Sequence, residues 1–500
     1  MLNSAALLLI VAASWAEDPA GDPAENLRRI KDLIPPLSNP LRDRLPLLTW
    51  HSKGVPTGLT EGNVKEVWDA YIKRGLMPLC IAANTPETAK DYLPIFKYLT
   101  RRKFPIVILP QGWVQRMFIN REEPDLACPH SAPAKRDHDF PCPSYMMETP
   151  KLPAEAKKVE TVCRIYRDAG VDIRMILIDY ESAAYLRNRG DQEERVQEAL
   201  AEAAKCPRCV KRFGAERLAS PDEYRKVVDE ARAHTVRVGL CDPARRVFPD
   251  LPIGNFYAWP VDREEPRREG YYSAYGWPGS GMNVAQPRCY VPAGWGGAGR
   301  SQEKSDWNAF YYCLSSFSRA KKVLRENELL IPWLSLFHQG RYQPRIQKGV
   351  RLPSRESWRE MVRHMMLRGT ETFAMFTGGY FRGTYPDDFK YPEIAKAGEW
   401  IYDVVDVQIA FNEMLAFNDF IRRGKVLNLE ITGDYSTLDE TTATWSGVAT
   451  EEKALIRTVS FKPEIVKEIT VFEREVKLPF RRGGQFFWVL PDGKITPITD

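Results

Sequence analysis

Two carboxylic acids, Asp179 and Glu181, stand directly after the apolar run at 175–178. Side chains alternate between the faces of a strand, so these acids point the same way, with Cα atoms roughly 6.5–7 Å apart. An apolar run of this kind is typical of a strand buried on both faces in an α/β protein. Enzymes with parallel strands keep their active sites at the carboxyl ends of those strands. The pair is therefore a candidate acid and charge stabiliser for sugar chemistry, with a helix N-cap and a surface acid as the alternative.

Strand-like and helix-like segments alternate through the first 424 residues. We predict strands at 45–51, 77–84, 105–110, 175–178, 254–259, 287–292, 329–337 and 372–376. Helical patterns lie at 61–75, 153–169, 191–213, 301–328, 355–367 and 392–421, and two more begin at 86 and at 221. Eight alternations predict an α/β fold, a (β/α)8 barrel of the TIM type. An open doubly wound sheet is the main rival, but no Gly-rich phosphate loop follows an early strand.

The pattern changes after Gly424 to short strand-like runs separated by polar turns, at 426–430, 454–461, 468–472 and 486–490. We predict a catalytic barrel over 17–424 and a small C-terminal β-sandwich accessory domain over 425–500. A structural role is expected for the sandwich. Carbohydrate binding is the alternative, because Trp445, Phe487 and Trp488 could stack on sugars or fill the core.

Residues 1–16 resemble a secretory signal peptide, with an apolar core at 5–13 and small residues at Ser14 and Ala16. A buried N-terminal helix is the alternative, because no Lys or Arg precedes the apolar core. The signal predicts a secreted or periplasmic protein, and no later segment is long and apolar enough to span a bilayer. A net charge of +5 without a basic tract predicts no nucleic-acid partner. The oligomeric state is left open.

Nine cysteines give no clear disulfide framework. Cys206 and Cys209 form a CxxC pair, but no second CxxC exists, so we predict no zinc site and no other metal or cofactor. Cys128 and Cys142 bracket a loop and could form a disulfide. Three further cysteines lie in apolar surroundings and are expected in the core: Cys80, Cys163 and Cys313.

Five segments resemble the hyaluronidases of the animal and venom type. In the first, the triplet Asp179-Tyr180-Glu181 precedes Tyr185 and the pair Arg187-Asn188, as an Asp-Trp-Glu triplet does in that family. The others are Gly254-Asn-Phe-Tyr-Ala-Trp-Pro260, Gln286-Pro-Arg-Cys-Tyr-Val-Pro292, Ile331-Pro-Trp-Leu-Ser-Leu-Phe337 and Gly369-Thr-Glu-Thr-Phe-Ala-Met-Phe376. The likeness covers about 171–376 and extends neither to the first 150 residues nor to the C-terminal region.

The resemblance implies a retaining, substrate-assisted hydrolysis of β-linked N-acetylhexosaminides in a polysaccharide or glycan. Glu181 would protonate the glycosidic oxygen and then activate water, while Asp179 would orient the acetamido group and stabilise its positive charge. Tyr257 and Tyr290 match tyrosines that line the pocket of the cleaved sugar. Phe376 stands where the family has a pocket-floor Trp, which would alter the seat of the cleaved sugar.

Independently of the resemblance, several tryptophans are predicted at the same end of the barrel, where they could stack on sugars or belong to the core. They are Trp50, Trp113, Trp259, Trp295 and Trp333. Of these, Trp259 and Trp333 are our predicted substrate-binding residues.

Two rival functions remain. In a two-carboxylate barrel glycosidase, an acid from another strand end would pair with Asp179 or Glu181: Asp262, Glu371 or Asp387. A secreted glycan-binding protein without activity is the other.

Overall fold

The computed structural model describes residues 31–51, 61–80, 84–110, 112–114, 128–130, 141–179, 190–263, 277–291, 301–335, 353–376, 402–431, 438 and 442–498. Glu181, Trp295, Asp387 and the predicted signal peptide lie outside these residues, and the predictions made for them stay predictions.

Ten short strands build the main sheet. They are β1 (Leu47–His51), β2 (Leu76–Cys80), β3 (Ile106–Ile108), β4 (Ile173–Ile178), β5 (Ile253–Asn255), β6 (Val284–Ala285), β7 (Arg288–Tyr290), β8 (Leu329–Leu330), β9 (Trp333–Ser335) and β10 (Ala374–Met375). Their order is β7-β9-β10-β1-β2-β3-β4-β5-β6-β8, and every pair is parallel. Each of the eight predicted strand segments overlaps at least one of these strands. The predicted α/β class with a parallel sheet is therefore confirmed.

Helices connect the strands. They are α1 (Glu61–Lys73), α2 (Pro86–Arg101), α3 (Pro143–Glu148), α4 (Lys151–Asp168), α5 (Gly190–Lys205), α6 (Pro207–Phe213), α7 (Pro221–Val236), α8 (Asp242–Arg245), α9 (Gln302–Lys322), α10 (Arg355–Leu367), α11 (Tyr402–Leu415) and α12 (Asn418–Arg423). Side chains fix several N-termini. Thr85 forms a capping box with Thr88, and Ser220, Ser301 and Ser354 each accept the N–H three residues on.

The parallel sheet lies in the core of the molecule. Strand β3 is buried throughout, and in β4 only Arg174 is exposed. Helices pack against it through buried rings and aliphatic side chains, including Phe96, Tyr166 and Phe317. Burial on both faces explains why these strands read as continuous apolar runs rather than alternating ones.

A second, antiparallel sheet follows α12. Its order is β11 (Lys425–Val426), β12 (Ala443–Ala449), β13 (Ala454–Ser460), β16 (Gln485–Val489) and β17 (Ile495–Ile498). A hairpin of β14 (Ile465–Val471) and β15 (Arg474–Phe480) packs on one face, where Ile456, Leu478 and Phe487 share a small apolar core. The other face joins the main core through Leu455 and Phe486.

A buried polar network ties this sheet to α10. Arg457 of β13 donates from Nε to Glu360 of α10 at 2.7 Å. Arg368 donates to the hydroxyl of Ser446 at 2.8 Å, and that hydroxyl lies 2.8 Å from Nδ1 of His364. Since arginine can only donate, the serine hydrogen is available to His364, which accepts it as a neutral imidazole.

Candidate active site

The structure places Asp179 immediately after β4, half-buried, at the carboxyl end of the sheet. Strand β4 pairs with β5 in the register Ile178 to Asn255, and the N–H of Phe256 donates to the carbonyl of Ile178 at 2.8 Å. This bond aligns the end of β4, which Asp179 follows, with the chain segment that carries Phe256 and Tyr257. The predicted catalytic partner Glu181 lies outside the described residues.

Three of the five predicted substrate-binding residues pack around the ring of Phe256, and a fourth packs against one of those three. The Phe256 centroid lies 5.9 Å from that of Tyr290 in a stacked arrangement, 5.6 Å from Trp333 edge-on, and 6.2 Å from Tyr257. The ring of Phe376 lies 5.7 Å from Tyr290. We refer to these five rings as the aromatic cluster. Separations of this size are typical of favourable aromatic pairs.

The rings of the cluster differ in their access to solvent. Trp333 and Tyr290 are buried, at 1% and 4% exposure, whereas Tyr257 and Phe376 are half-buried. The indole N–H of Trp333 donates to Oε1 of Gln286 at 2.5 Å. Tyr257 and Phe376 are therefore the rings that a sugar could reach, and Trp333 supports them from within the core.

The structure does not bring Trp259 into this cluster. Its side chain is 4% exposed, and the guanidinium of Arg319, on α9, lies 5.8 Å from its ring centroid. The ring is packed beneath an arginine, so its predicted role as a sugar platform gains no support from its position. Trp113, predicted at the same end, is also buried and donates its indole N–H to the carbonyl of Asn84.

Tyr257 has a left-handed backbone, with φ of 61°. For a bulky residue this conformation costs roughly 1–2 kcal/mol, and strain of this kind concentrates at ligand sites. The guanidinium of Arg288 lies 5.1 Å from the centroid of the Tyr257 ring. Burial lowers the pKa of Arg288, but Tyr257 and Tyr312 outweigh it, so the pKa is raised and the side chain stays cationic. Burial also raises the pKa of Tyr312 to about 12.

Sequence reasoning missed Phe256 and Arg288. Both lie inside segments noted for the residues around them, at 254–260 and 286–292. Their contacts join β5, β7 and β9, and only the sheet register shows that these strands bring their side chains together.

Glu371 is excluded as a partner for Asp179, which corrects one alternative. It precedes β10, its backbone N–H donates to Leu330 of β8, and its carboxylate is held by Arg422 at 3.0 Å. Because the strands are parallel, Glu371 lies at their amino ends, opposite to Asp179. Asp262 falls in a short 3-10 helix, Val261–Arg263, and its side chain is not among those described.

The aromatic residues of the C-terminal sheet are occupied by protein contacts. Phe487 is 3% exposed in the small core. Trp488 packs against Phe420 at 5.0 Å, with the ammonium of Lys453 at 3.8 Å from its ring centroid. Trp445 is half-buried against the small apolar core that also holds Phe487. These contacts favour the structural role over carbohydrate binding.

One group of side chains in the described residues could hold a metal ion: Cys128, Cys142, Cys206 and Cys209. The first two are free thiols rather than the disulfide that we considered. None of the four belongs to the aromatic cluster.

No family model matches the chain, and no curated protein sequence matches it either. Among solved structures, a cyclic α-maltosyl-(1→6)-maltose hydrolase from Arthrobacter globiformis is similar with a TM-score of 0.40 and 10% identity, over 96% of this chain and 95% of its own. An isomaltulose synthase variant from Erwinia rhapontici has a TM-score of 0.42 and 9% identity, over 89% and 98%. A glycoside hydrolase family 5 protein from Bacteroides vulgatus has a TM-score of 0.32 and 10% identity, over 91% and 83%. TM-scores below 0.5 do not decide the fold or the activity of this chain.

Among the described residues, no helix combines the length and the apolar character needed to cross a membrane.

Proposed function

We propose that the chain is a secreted glycoside hydrolase that cleaves β-linked N-acetylhexosaminides in a glycosaminoglycan-like polysaccharide or glycan. The observation that carries the proposal is the position of Asp179. Asp179 is half-buried and directly follows a buried parallel strand, and the last residue of that strand, Ile178, accepts a backbone hydrogen bond from Phe256 of the aromatic cluster. Sugars present apolar faces to such rings and polar groups to such acids.

The sheet in this proposal is a closed eight-stranded barrel. Strands β6 and β7 are separated only by Gln286 and Pro287, and β8 and β9 only by Ile331 and Pro332. Each proline removes one N–H from the ladder, which accounts for the breaks. Across the gap, the N–H of Trp333 donates to the carbonyl of Pro287 at 3.0 Å. Treated as one strand each, these pairs complete a ring, because β10 pairs with both β9 and β1.

In the proposed mechanism Glu181 is the general acid and then the general base. It follows Asp179 by two residues, so in an extended chain both side chains emerge on the same side. An ionised Asp179 favours the protonated form of a nearby acid, as proton donation requires. Asp179 would hold the acetamido N–H of the substrate while the acetamido oxygen attacks the anomeric carbon. Water assisted by Glu181 then opens the cyclic intermediate with retention.

The residues around Asp179 would form the sugar pocket. Tyr257 and Phe376 offer the accessible ring surface, and Tyr290 stacks behind them on Phe256. Arg288 adds a positive charge beside Tyr257, which supports an acidic sugar within the polymer rather than a neutral one.

A two-carboxylate mechanism remains the alternative within the same reaction class. Because Glu371 lies at the opposite end of the sheet, the acids left as candidate partners in a two-carboxylate mechanism are Asp262 and Asp387. A glycan-binding protein without activity is less well supported, because binding alone does not need two acids spaced as Asp179 and Glu181 are.

The test is a screen for new reducing ends released from hyaluronan, chondroitin, chitin oligosaccharides and mucin glycans. The wild type is compared with Glu181→Gln, and we expect at least about a 100-fold loss, the lower bound of a general-acid contribution. Asp172→Asn is the matched control, because Asp172 is an exposed acid next to the amino end of the same strand. Release that survives Glu181→Gln, or no release by the wild type from any of these glycans, would refute the proposal.

A further inference from the structure

Four buried cysteines converge from two separate segments of the chain. Cys128 and Cys142 lie between β3 and α4. Cys206 lies between α5 and α6, and Cys209 lies within α6. All four sulfur atoms lie within 4.8 Å of one another. The Sγ atom of Cys142 is 3.4 Å from that of Cys209 and 4.0 Å from that of Cys206, and Cys128 is 4.0 Å from Cys209.

These separations match a metal tetrathiolate. A tetrahedral zinc ion with Zn–S bonds of about 2.3 Å places its sulfur atoms about 3.8 Å apart. The three sulfur separations of 3.4, 4.0 and 4.0 Å bracket that value. They are well beyond the roughly 2.05 Å of a disulfide bond. We propose that Cys128, Cys142, Cys206 and Cys209 form a structural zinc site.

The surroundings suit a site with excess negative charge. Four thiolates around Zn²⁺ carry a net charge of −2, which needs nearby donors and cations. Arg208, between Cys206 and Cys209, interacts with the charge of Cys142 and hydrogen-bonds to Cys206. The backbone N–H of Tyr145 donates to Cys142, and that of Ser144 donates to Cys209. Such N–H donors commonly support thiolate ligands.

The site is structural rather than catalytic because protein thiols fill all four positions. A hydrolytic zinc ion needs an open position for water. Burial of all four cysteines also keeps the ion away from solvent.

The ion would join two excursions that leave neighbouring strands at their carboxyl ends. Cys128 and Cys142 belong to the segment after β3, and Cys206 and Cys209 to the segment after β4, which also carries Asp179. Helices α3 and α6 meet here, with Arg208 5.3 Å from the ring centroid of Tyr145. The zinc would therefore hold the wall of the candidate active site on the side of β3 and β4.

This proposal departs from our expectation of no zinc site, which rested on the lack of a second CxxC pair. Two isolated cysteines complete the set, and the fold rather than the spacing brings them to the CxxC.

The test is the metal content of the full chain, produced with added zinc and purified under reducing conditions. We expect one zinc per chain, released stoichiometrically when a mercurial reagent titrates the thiols. The double variant Cys206→Ser/Cys209→Ser should lose it. Cys163→Ser, a buried cysteine outside the group, should keep it.

Cobalt substitution of the wild type guards against a double variant that fails to fold. The Co²⁺ protein should show the intense visible and thiolate charge-transfer bands of a tetrahedral tetrathiolate. The proposal is overturned if the zinc-supplemented wild type holds well below one equivalent, if the cobalt spectrum lacks these bands, or if Cys163→Ser loses zinc as readily as the double variant. Two disulfides among the four cysteines in the purified protein, with no zinc binding after their reduction, would overturn it as well.

Discussion

Replacing Arg457 with methionine removes a cation from the buried contact between the C-terminal sheet and α10. Arg457 and Glu360 are 3% and 1% exposed. The variant loses the 2.7 Å bond from Nε and a second bond from Nη2, both to Glu360, and the 2.9 Å bond to the carbonyl of Gly483. It also loses the contact of the guanidinium with the ring of Phe486, at 4.2 Å.

The expected loss follows from what remains around Glu360. Removing one partner of a buried ion pair costs about 3–5 kcal/mol, because the other charge stays buried without compensation. Here Arg363 still donates to Glu360, which keeps part of the compensation. We therefore expect the lower end of that range, about 3 kcal/mol, a large share of a typical folding free energy of about 5–15 kcal/mol.

The assay is urea unfolding at pH 7, followed by circular dichroism and tryptophan fluorescence. Arg482→Met is the matched control, because Arg482 is 60% exposed and pairs with Glu303 at 3.0 Å on the surface. An exposed pair of this kind contributes about 0.2–1 kcal/mol. The double variant Arg457→Met/Glu360→Gln should cost less than the sum of its single changes. Equal losses for Arg457→Met and Arg482→Met would refute the reasoning.

Three further changes test other parts of the structure. Burial lowers the pKa of His364 well below its usual value of about 6.5, and the nearby cations of Arg368, Arg457 and Arg363 lower it further. Below about pH 6.5 only the unfolded state gains this proton, so the free energy of unfolding should fall by up to about 1.4 kcal/mol per pH unit. The urea midpoint of His364→Gln should therefore change less between pH 7.5 and 5 than that of the wild type. A variant with the wild-type slope would contradict this. Tyr257→Gly should have a free energy of unfolding about 1 kcal/mol higher than Tyr257→Ala, because both lose the ring but only glycine adopts a φ of 61° without strain. Equal denaturation midpoints for the two variants would argue against backbone strain. Trp333→Phe should cost about 1–3 kcal/mol in the same assay by leaving Oε1 of Gln286 without its donor, and a loss below 0.5 kcal/mol would contradict that.

The sequence predicted the parallel sheet well because its strands are buried on both faces and appear as separate apolar runs. It predicted the short strands less well. Strand β6 has only two residues before Pro287 interrupts the ladder, so the segment from 284 was placed outside the predicted strand. In the C-terminal region, β12, β15 and β17 were missed, because Gly447, Pro479 and Pro497 disturb the expected patterns.

The candidate site was predicted in part. Asp179 could be recognised because a charged residue ends an apolar strand, and the rings of Tyr257, Tyr290 and Phe376 because they lie near other strand ends. Which aromatic residues face solvent could not be read from the sequence, and Trp259 is packed under Arg319 instead.

The contacts that depend on distant parts of the chain could not be predicted. The four thiols come from positions up to 81 residues apart, and only the packing of the segment after β3 on the segment after β4 brings them together. Glu371 was expected among the strand-end acids, but it precedes its strand rather than following it. Glu371 precedes the predicted strand at 372–376 as well as the observed one, so the direction of the parallel strand places it at the amino end of the sheet.

The most direct measurement of the proposed chemistry compares two synthetic β-glycosides that differ only at carbon 2, one with an acetamido group and one with a hydroxyl. If the substrate supplies the nucleophile and Glu181 the proton, the wild type should cleave the acetamido compound and leave the hydroxyl compound essentially intact, and Glu181→Gln should cleave neither. Comparable rates on the two compounds would contradict substrate assistance and indicate a protein carboxylate as nucleophile.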